Sequence, residues 1–380
     1  MMGVVDLSDK LRLALGTVKD RASIGKARMV HKSAEGRGFS HLEIAVVRAT
    51  GHHHASNVDD KHMHEILFLA TNSPGSIPFL AERISRRLAK TRDRLVALKT
   101  LLLVHRLLRG GNRYFEHQLR MAHASGHLQL AAPWFAKNPA DHSVYFLHKY
   151  SAYLEERIGW VINQAGKLEP LVMNQGLEFG SYDEKSVDLV FRRLPKCQAF
   201  MDRVLESCCP FAHLPCFNTL YRAAMTNTLK ESFQVYATYC ECVAALMNMF
   251  FDLTAGARAL ACRILRRASM QSGVLQLMYD TCEKVIGNKN LEYPVVQIMT
   301  LEHVAALEQV DLEAGSSSPP PVLGDGVKDV GVVRGDEDDG DGDLEVGDSS
   351  GDFGALFSWK SSLETKISTV WVVFEDEFSR

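Results

Sequence analysis

The chain has 380 residues, of which 46% are hydrophobic, and carries a formal charge of −3 at neutral pH. That length holds one large domain or two ordinary ones, and the apolar share supplies a sizeable core. No run approaches the roughly 18 apolar residues of a membrane span, and no basic stretch followed by an apolar core opens the sequence, so the expectation is a cytosolic protein. The small net charge hides an asymmetry. Residues 1–120 carry 21 Lys and Arg against 11 Asp and Glu, whereas residues 311–380 carry 5 against 17. A basic head with an acidic tail points to an anionic partner for the head.

Helical spacing dominates the first 310 residues. Leu7, Leu11, Leu15 and Val18 recur on one helix face, with Asp6 or Ser8 as the cap. A second helix is predicted over Phe39 to Thr50 and a third over Asp60 to Thr71. Pro78 suits the first turn of a fourth, ending near Lys90, because its missing N–H costs nothing there. Asp93 opens a strongly apolar helix that stops at Gly110-Gly111, where glycine accepts left-handed geometry. Longer helices follow over Asp141 to Gln164, Lys185 to Cys208, Phe217 to Phe251 and Thr254 to Ile286, with a last short one from Val295 to Gln309. Helices joined by short turns, without a fixed period, predict a bundle or a curved helical stack.

The composition changes at Gly315. The segment Ser316 to Pro321 reads as a linker, and the acidic run Gly335 to Asp343 has too little apolar surface to fold. The expected organisation is therefore a helical domain over 1–310 and a disordered acidic tail over 311–380. Eight cysteines, Cys197, Cys208, Cys209, Cys216, Cys240, Cys242, Cys262 and Cys282, include no Cys-x-x-Cys pair. They read as reduced thiols among helices rather than zinc ligands.

The segment Arg48 to His64 carries the densest chemistry. Arg48 lies near the end of one predicted helix, and Lys61 and His62 open the next. Backbone N–H groups and the helix dipole at that N-terminus favour phosphate. A solvated charged loop is the plain alternative. A metal site from His52, His53, His54, His62, His64 and Asp59 is disfavoured, because three adjacent histidines cannot all face one ion, and His62 and His64 do not share a helix face. No nucleophile elbow, phosphate loop or dinucleotide fingerprint is present, so no enzyme and no cofactor is expected. The basic cluster Arg83, Arg86, Arg87, Lys90, Arg92 and Arg94 lacks the interleaved aromatics of a nucleic-acid platform and reads as a charged outer face.

Four blocks, in order, carry a family resemblance: KLRLALGTVKDRASIGKA (Lys10 to Ala27), VRAT (Val47 to Thr50), ALKTLLLVHRLLRGGNRYF (Ala97 to Phe115) and DHSVYFLHKYSAYLEERI (Asp141 to Ile158). The chain resembles the plant members of the clathrin assembly protein family, whose N-terminal part is the ANTH domain. The resemblance covers about residues 5–310. It implies an all-α superhelical stack, an α-solenoid, that binds phosphatidylinositol 4,5-bisphosphate and promotes clathrin-coated vesicle formation in endocytosis.

On the family pattern, Arg48, Lys61 and His62 hold the headgroup. Asp59 stands where the family has a basic residue, and His53 and His54 compensate when charged below pH ~6.5. The implied locations are clathrin-coated pits and vesicles at the plasma membrane, with the Golgi as another. The implied partners are clathrin and inositol phospholipid membranes. In the tail, Trp371, Phe374, Asp376 and Phe378 within WVVFEDEF resemble peptides read by the appendage domain of endocytic adaptor complexes. The competing reading is a cytosolic scaffold that binds SNARE helices or another protein without lipid affinity.

Overall fold

A computed structural model describes residues 2–30, 36–52, 60–72, 75–137, 140–162, 168–170, 184–208, 219–288 and 290–316. The chain divides into two compact units, Met1–Glu313 and Ala314–Arg380. The first unit is a stack of α-helices, as the periodicity predicts. Its elements are α1 (Met2–Val30), α2 (Gly36–Ala49), α3 (Asp60–Thr71), α4 (Ser76–Lys90), α5 (Arg94–Gly110), α6 (Arg113–Ala124) and α7 (His142–Ile158). A two-stranded antiparallel ribbon, β1 (Trp160–Ile162) with β2 (Leu168–Pro170), separates these from α8 (Glu184–Cys208), α9 (Thr219–Asn248), α10 (Ala255–Ile286) and α11 (Leu301–Ser316). Helices pack on near neighbours in sequence: α2 against α1, α3 and α4, α7 against α5 and α8, and α8 against α9 and α10.

Local chemistry fixes most boundaries. Asp93 Oδ1 accepts from the N–H groups of Leu95 (2.8 Å) and Val96 (3.2 Å), satisfying donors that the first turn of α5 leaves free. Asp141 caps α7 in the same way, through Ser143 and Val144. Gly111 ends α5, but not in left-handed geometry: its φ is −75°. Glycine is needed there because a Cβ would crowd the Phe115 ring and the Leu107 carbonyl oxygen. The left-handed terminator is Gly287, at φ 59°, after α10.

Three predicted elements need correction, and one helix was missed. Asp6 and Ser8 fall inside α1, which begins at Met2. The helix opened by Asp141 stops at Ile158 rather than Gln164. Gly159 follows it, Arg157 donates to the Trp160 carbonyl at 2.9 Å, and the buried Trp160 ring packs on Phe200 as β1 begins. α6 was not predicted at all: Asn112 caps it through the Phe115 N–H, and its buried face is only Phe115, Glu116, Leu119 and Ala122. The last helix starts at Leu301, not Val295. Pro294 disfavours helix before it, and the irregular residues after it find side-chain partners. Gln297 N–H donates to Tyr236 Oη (2.8 Å), and Met299 N–H to Ser272 Oγ (3.3 Å).

Six cysteines, Cys197, Cys208, Cys240, Cys242, Cys262 and Cys282, are free and buried; Cys209 and Cys216 lie outside the described residues. Burial pushes three of these thiols up: Cys197 well above its ordinary value, Cys240 to about 11 and Cys242 to about 12.

The middle of the stack is organised around Glu231 of α9, which is fully buried. Its Oε2 accepts from Tyr153 Oη (2.5 Å) and lies 3.0 Å from His105 Nε2, while Oε1 sits 3.0 Å from Arg157 Nε and 3.5 Å from Arg109 Nη1. His105 Nδ1 reaches Tyr150 Oη at 2.8 Å. α5, α7 and α9 therefore meet on one carboxylate. Burial alone would raise the Glu231 carboxyl, but Arg157 and His105 outweigh it and hold it well below the ordinary range. Burial holds His105 below its ordinary value despite Glu231. Glu231→Gln strands the buried Arg157 charge and should cost about 3–5 kcal/mol in urea unfolding. Adding Arg157→Met should recover part of that loss.

Candidate functional site

Residues Thr50, Gly51 and His52 leave α2 toward the His-rich loop, and each is held by a different helix. Arg87 of α4 donates from Nη2 to the Thr50 carbonyl (3.0 Å). Lys99 of α5, itself buried, donates from Nζ to the Gly51 carbonyl (3.1 Å). The His52 backbone N–H donates to Asp20 Oδ2 of α1 (2.9 Å), and His52 Nδ1 lies 2.8 Å from the same oxygen. Asp20 Oδ1 accepts from Arg87 Nη2 at 2.8 Å. Thr50 closes the helix end by donating its hydroxyl to the Val46 carbonyl (2.7 Å). The VRAT block therefore ends in a segment pinned by α1, α4 and α5.

Asp20 is the hub of this frame. Burial pulls its carboxyl upward, but the His52 hydrogen bond and the Arg87 charge prevail and hold it near 2. Lys99 is lowered chiefly by burial. Neither Asp20 nor Lys99 stood out in the sequence as a site residue. The signal for Lys99 was a lysine inside an otherwise apolar helix; for Asp20 it was Gly16 one turn earlier. A Cβ at Gly16 would run into the His52 ring, so glycine permits the close approach of α1.

The predicted headgroup residues flank the pinned segment. Arg48 is exposed in the last turn of α2 and Lys61 is exposed in the first turn of α3. His62 is half-buried, with Nδ1 3.3 Å from Glu65 Oε2. Asp60 pairs with Arg106 of α5, which ties the start of α3 to the stack. His53, His54 and Asp59 lie outside the described residues, as do Trp371, Phe374, Asp376 and Phe378 of the tail. The metal alternative loses His52 to Asp20, and among the described residues no three His, Cys, Asp or Glu side chains gather in a metal-ligand group.

The apolar stripe of α1 does not pack. Leu11, Leu15 and Val18 are 62%, 55% and 63% exposed, and the buried positions are instead Gly16, Asp20 and Ala27. α1 docks instead through small residues, Asp20 and the Arg12–Asp93 pair. The basic cluster also separates into two sets. Arg83 pairs with Glu43 (3.3 Å) and lies over the Phe79 ring, Arg87 is committed to Asp20, and Arg94 pairs with Asp141. Arg86, Lys90 and Arg92 are exposed.

Sequence comparison places this frame in a known family. The ANTH domain matches residues 41–311. This chain belongs to the ANTH-domain clathrin assembly proteins. A protein of Arabidopsis thaliana named as clathrin assembly protein At1g33340 is 50% identical over 98% of this chain and 96% of its own length. The Clathrin coat assembly protein AP180 of the same plant is 26% identical over 95% of this chain, which spans only 60% of that longer relative. Clathrin assembly protein At4g32285 is 29% identical, with 82% of this chain matched to 59% of its length. The family is one of coat adaptors, not of enzymes. Among the described residues no helix is long and apolar enough to cross a membrane.

Two outcomes test the frame. Gly16→Leu should cost about 1–3 kcal/mol in thermal or urea unfolding and expose α1 to protease, because neither helix nor His52 can absorb the new side chain in place. Because its folded pKa lies below the unfolded value, ionised Asp20 adds stability that is complete above pH ~4 and disappears as pH falls toward 2. The difference in stability between wild type and Asp20→Asn should shrink by about 1–2 kcal/mol across that window.

Proposed function

We propose that this chain is a peripheral-membrane clathrin adaptor with no enzymatic activity. On this reading residues 1–310 bind an inositol phospholipid headgroup, with phosphatidylinositol 4,5-bisphosphate as the ligand, and help build clathrin-coated vesicles in endocytosis. Arg48, Lys61 and His62 hold the phosphates, joined by His53 and His54 when these are protonated. The supporting observation is the three-way anchoring of Thr50, Gly51 and His52. It fixes the end of α2, and Asp60 pairing with Arg106 fixes the start of α3. Two exposed cations are thereby presented on rigid elements at either side of one loop, which lowers the ordering cost of gripping an anion. The α3 N-terminus adds backbone donors.

Residues 311–380 act as the recruiting arm. Trp371, Phe374, Asp376 and Phe378 dock on the appendage domain of an adaptor complex, with aromatic anchors in pockets and the acid at a basic rim. Work at coated pits and vesicles follows from these two contacts.

The test is co-sedimentation of the full chain with vesicles of phosphatidylcholine alone, with phosphatidylserine, and with phosphatidylinositol 4,5-bisphosphate, at pH 7.4 and 6.0. Selective pelleting with the phosphoinositide is expected, stronger at pH 6.0 as the histidines charge. Each basic residue near the surface is worth about 1 kcal/mol, so Arg48→Glu with Lys61→Glu should weaken vesicle binding by at least about thirtyfold. Wild-type pelleting by the double variant would refute the site.

A further inference from the structure

α10 carries no Asp, Glu, Lys or Arg between Arg267 and Asp280. Its inner face over that stretch is given to the core through Leu275, Met278 and Tyr279, all buried. Its outer face is also apolar, yet Met270, Val274 and Leu277 are 63%, 53% and 68% exposed. These three stand four and three residues apart, the spacing that lines side chains along one seam and presents them to a partner helix. The chain beside them extends the surface. Met299 N–H donates to Ser272 Oγ and Arg266 pairs with Glu308, so the residues leading into α11 run along α10. They leave Val295, Ile298 and Leu301 more than half exposed. A helix that is apolar all round is normally covered on every side, and an exposed apolar patch rimmed by charge marks an interaction surface.

The charges at its two ends indicate what covers it. Arg263 is exposed on the N-terminal side, while Asp280, Glu283 and Lys284 are exposed on the C-terminal side, where acid prevails. Gly273 lies midway. Arg263 stands ten residues before it and Glu283 ten after, Arg266 seven before and Asp280 seven after. A two-fold axis at Gly273 therefore sets Arg263 of each copy against Glu283 of the other, and Arg266 against Asp280. Parallel copies would set like charge on like, whereas the antiparallel pair is self-complementary. Gly273 is exposed and a Cβ there would touch nothing of its own chain within 4 Å, so two backbones can approach closely at the crossing. A face that lies on a membrane flanks its apolar stripe with rows of cations; this one carries opposite signs at opposite ends. With 32 residues α10 is about 48 Å long, enough for a crossing pair to reach the ~800 Å² per partner of a specific interface.

We propose that the outer face of α10 is a homodimer interface, in which two copies of this chain cross antiparallel at Gly273 with Met270, Val274 and Leu277 packed at the centre. Pairing joins two basic heads in one particle, so contacts that are weak singly add as avidity on a surface. The interface stands or falls independently of the lipid reading above.

The test is sedimentation equilibrium of the full chain from about 1 to 100 μM. The wild type should rise from the 42.4 kDa monomer toward twice that mass. Val274→Glu, which adds a charge at an already exposed position, should keep the monomer mass throughout. Far-ultraviolet circular dichroism checks its fold, and the milder Leu277→Gln replaces it if it fails to fold. Arg263→Glu should weaken the dimer at least tenfold, and adding Glu283→Arg should restore it to within threefold of wild type. Mild oxidation of Gly273→Cys should yield a covalent dimer on a non-reducing gel that the wild type, with its own cysteines, does not form. A monomeric wild type over this range would overturn the proposal and leave the face to another occupant. Association that survives Val274→Glu, a charge swap that restores nothing, or no covalent dimer from Gly273→Cys would overturn it equally.

Discussion

A buried carboxylate, Asp20, decides where the head of this protein puts its charges. It draws on α1, the segment after α2 and α4 at once, through His52 and Arg87. Remove its charge and Arg87 is left half-buried without a counterion, the Thr50 carbonyl loses a well-placed donor, and α1 keeps the Arg12–Asp93 pair, the Ser40 hydrogen bond to the Ala27 carbonyl and contacts between small residues. A buried ion pair of this kind is weak evidence for net stability, since desolvation offsets much of the attraction. Its value here is geometric: it specifies one arrangement of three helices, and that arrangement carries the exposed cations of the head.

Glu231 plays the corresponding part deeper in the stack. It gathers Tyr153, His105, Arg157 and Arg109 from α5 and α7 onto α9. Lys99, which pins the Gly51 carbonyl, and His105, which meets Glu231, belong to the same helix. α5 thus links the two carboxylates: one end sets the loop beside Arg48, and the middle is fixed to the body. Side chains carried on such a frame are placed before any partner arrives, which lowers the cost of ordering them on binding.

Much of the helical plan was legible in the residues, because caps such as Asp93 and Asp141 act locally and apolar spacing reports burial. Two kinds of feature were not. α6 is short and polar overall, burying only Phe115, Glu116, Leu119 and Ala122, and the irregular segment before α11 is held by Tyr236 and Ser272, 61 and 27 residues away. The site showed the same limit. Arg48, Lys61 and His62 are proposed from their place around a loop, whereas the framing role of Asp20 depends on a partner 67 residues away. Arg83 and Arg87 looked like part of a solvated cluster for the same reason, and only their distant acids distinguish them from Arg86, Lys90 and Arg92. The exposed leucines of α1 misled in the opposite sense: helical spacing alone does not say which face a helix turns to its neighbours.

On the proposed reading this chain joins a membrane to a coat, so the most direct measurement is clathrin recruitment on lipid monolayers seen by electron microscopy. The full chain should assemble clathrin on monolayers containing phosphatidylinositol 4,5-bisphosphate, and neither the chain on neutral lipid nor the phosphoinositide without the chain should do so. Clathrin assembly that ignores the lipid, or chain bound to the phosphoinositide that gathers no clathrin, would contradict the account.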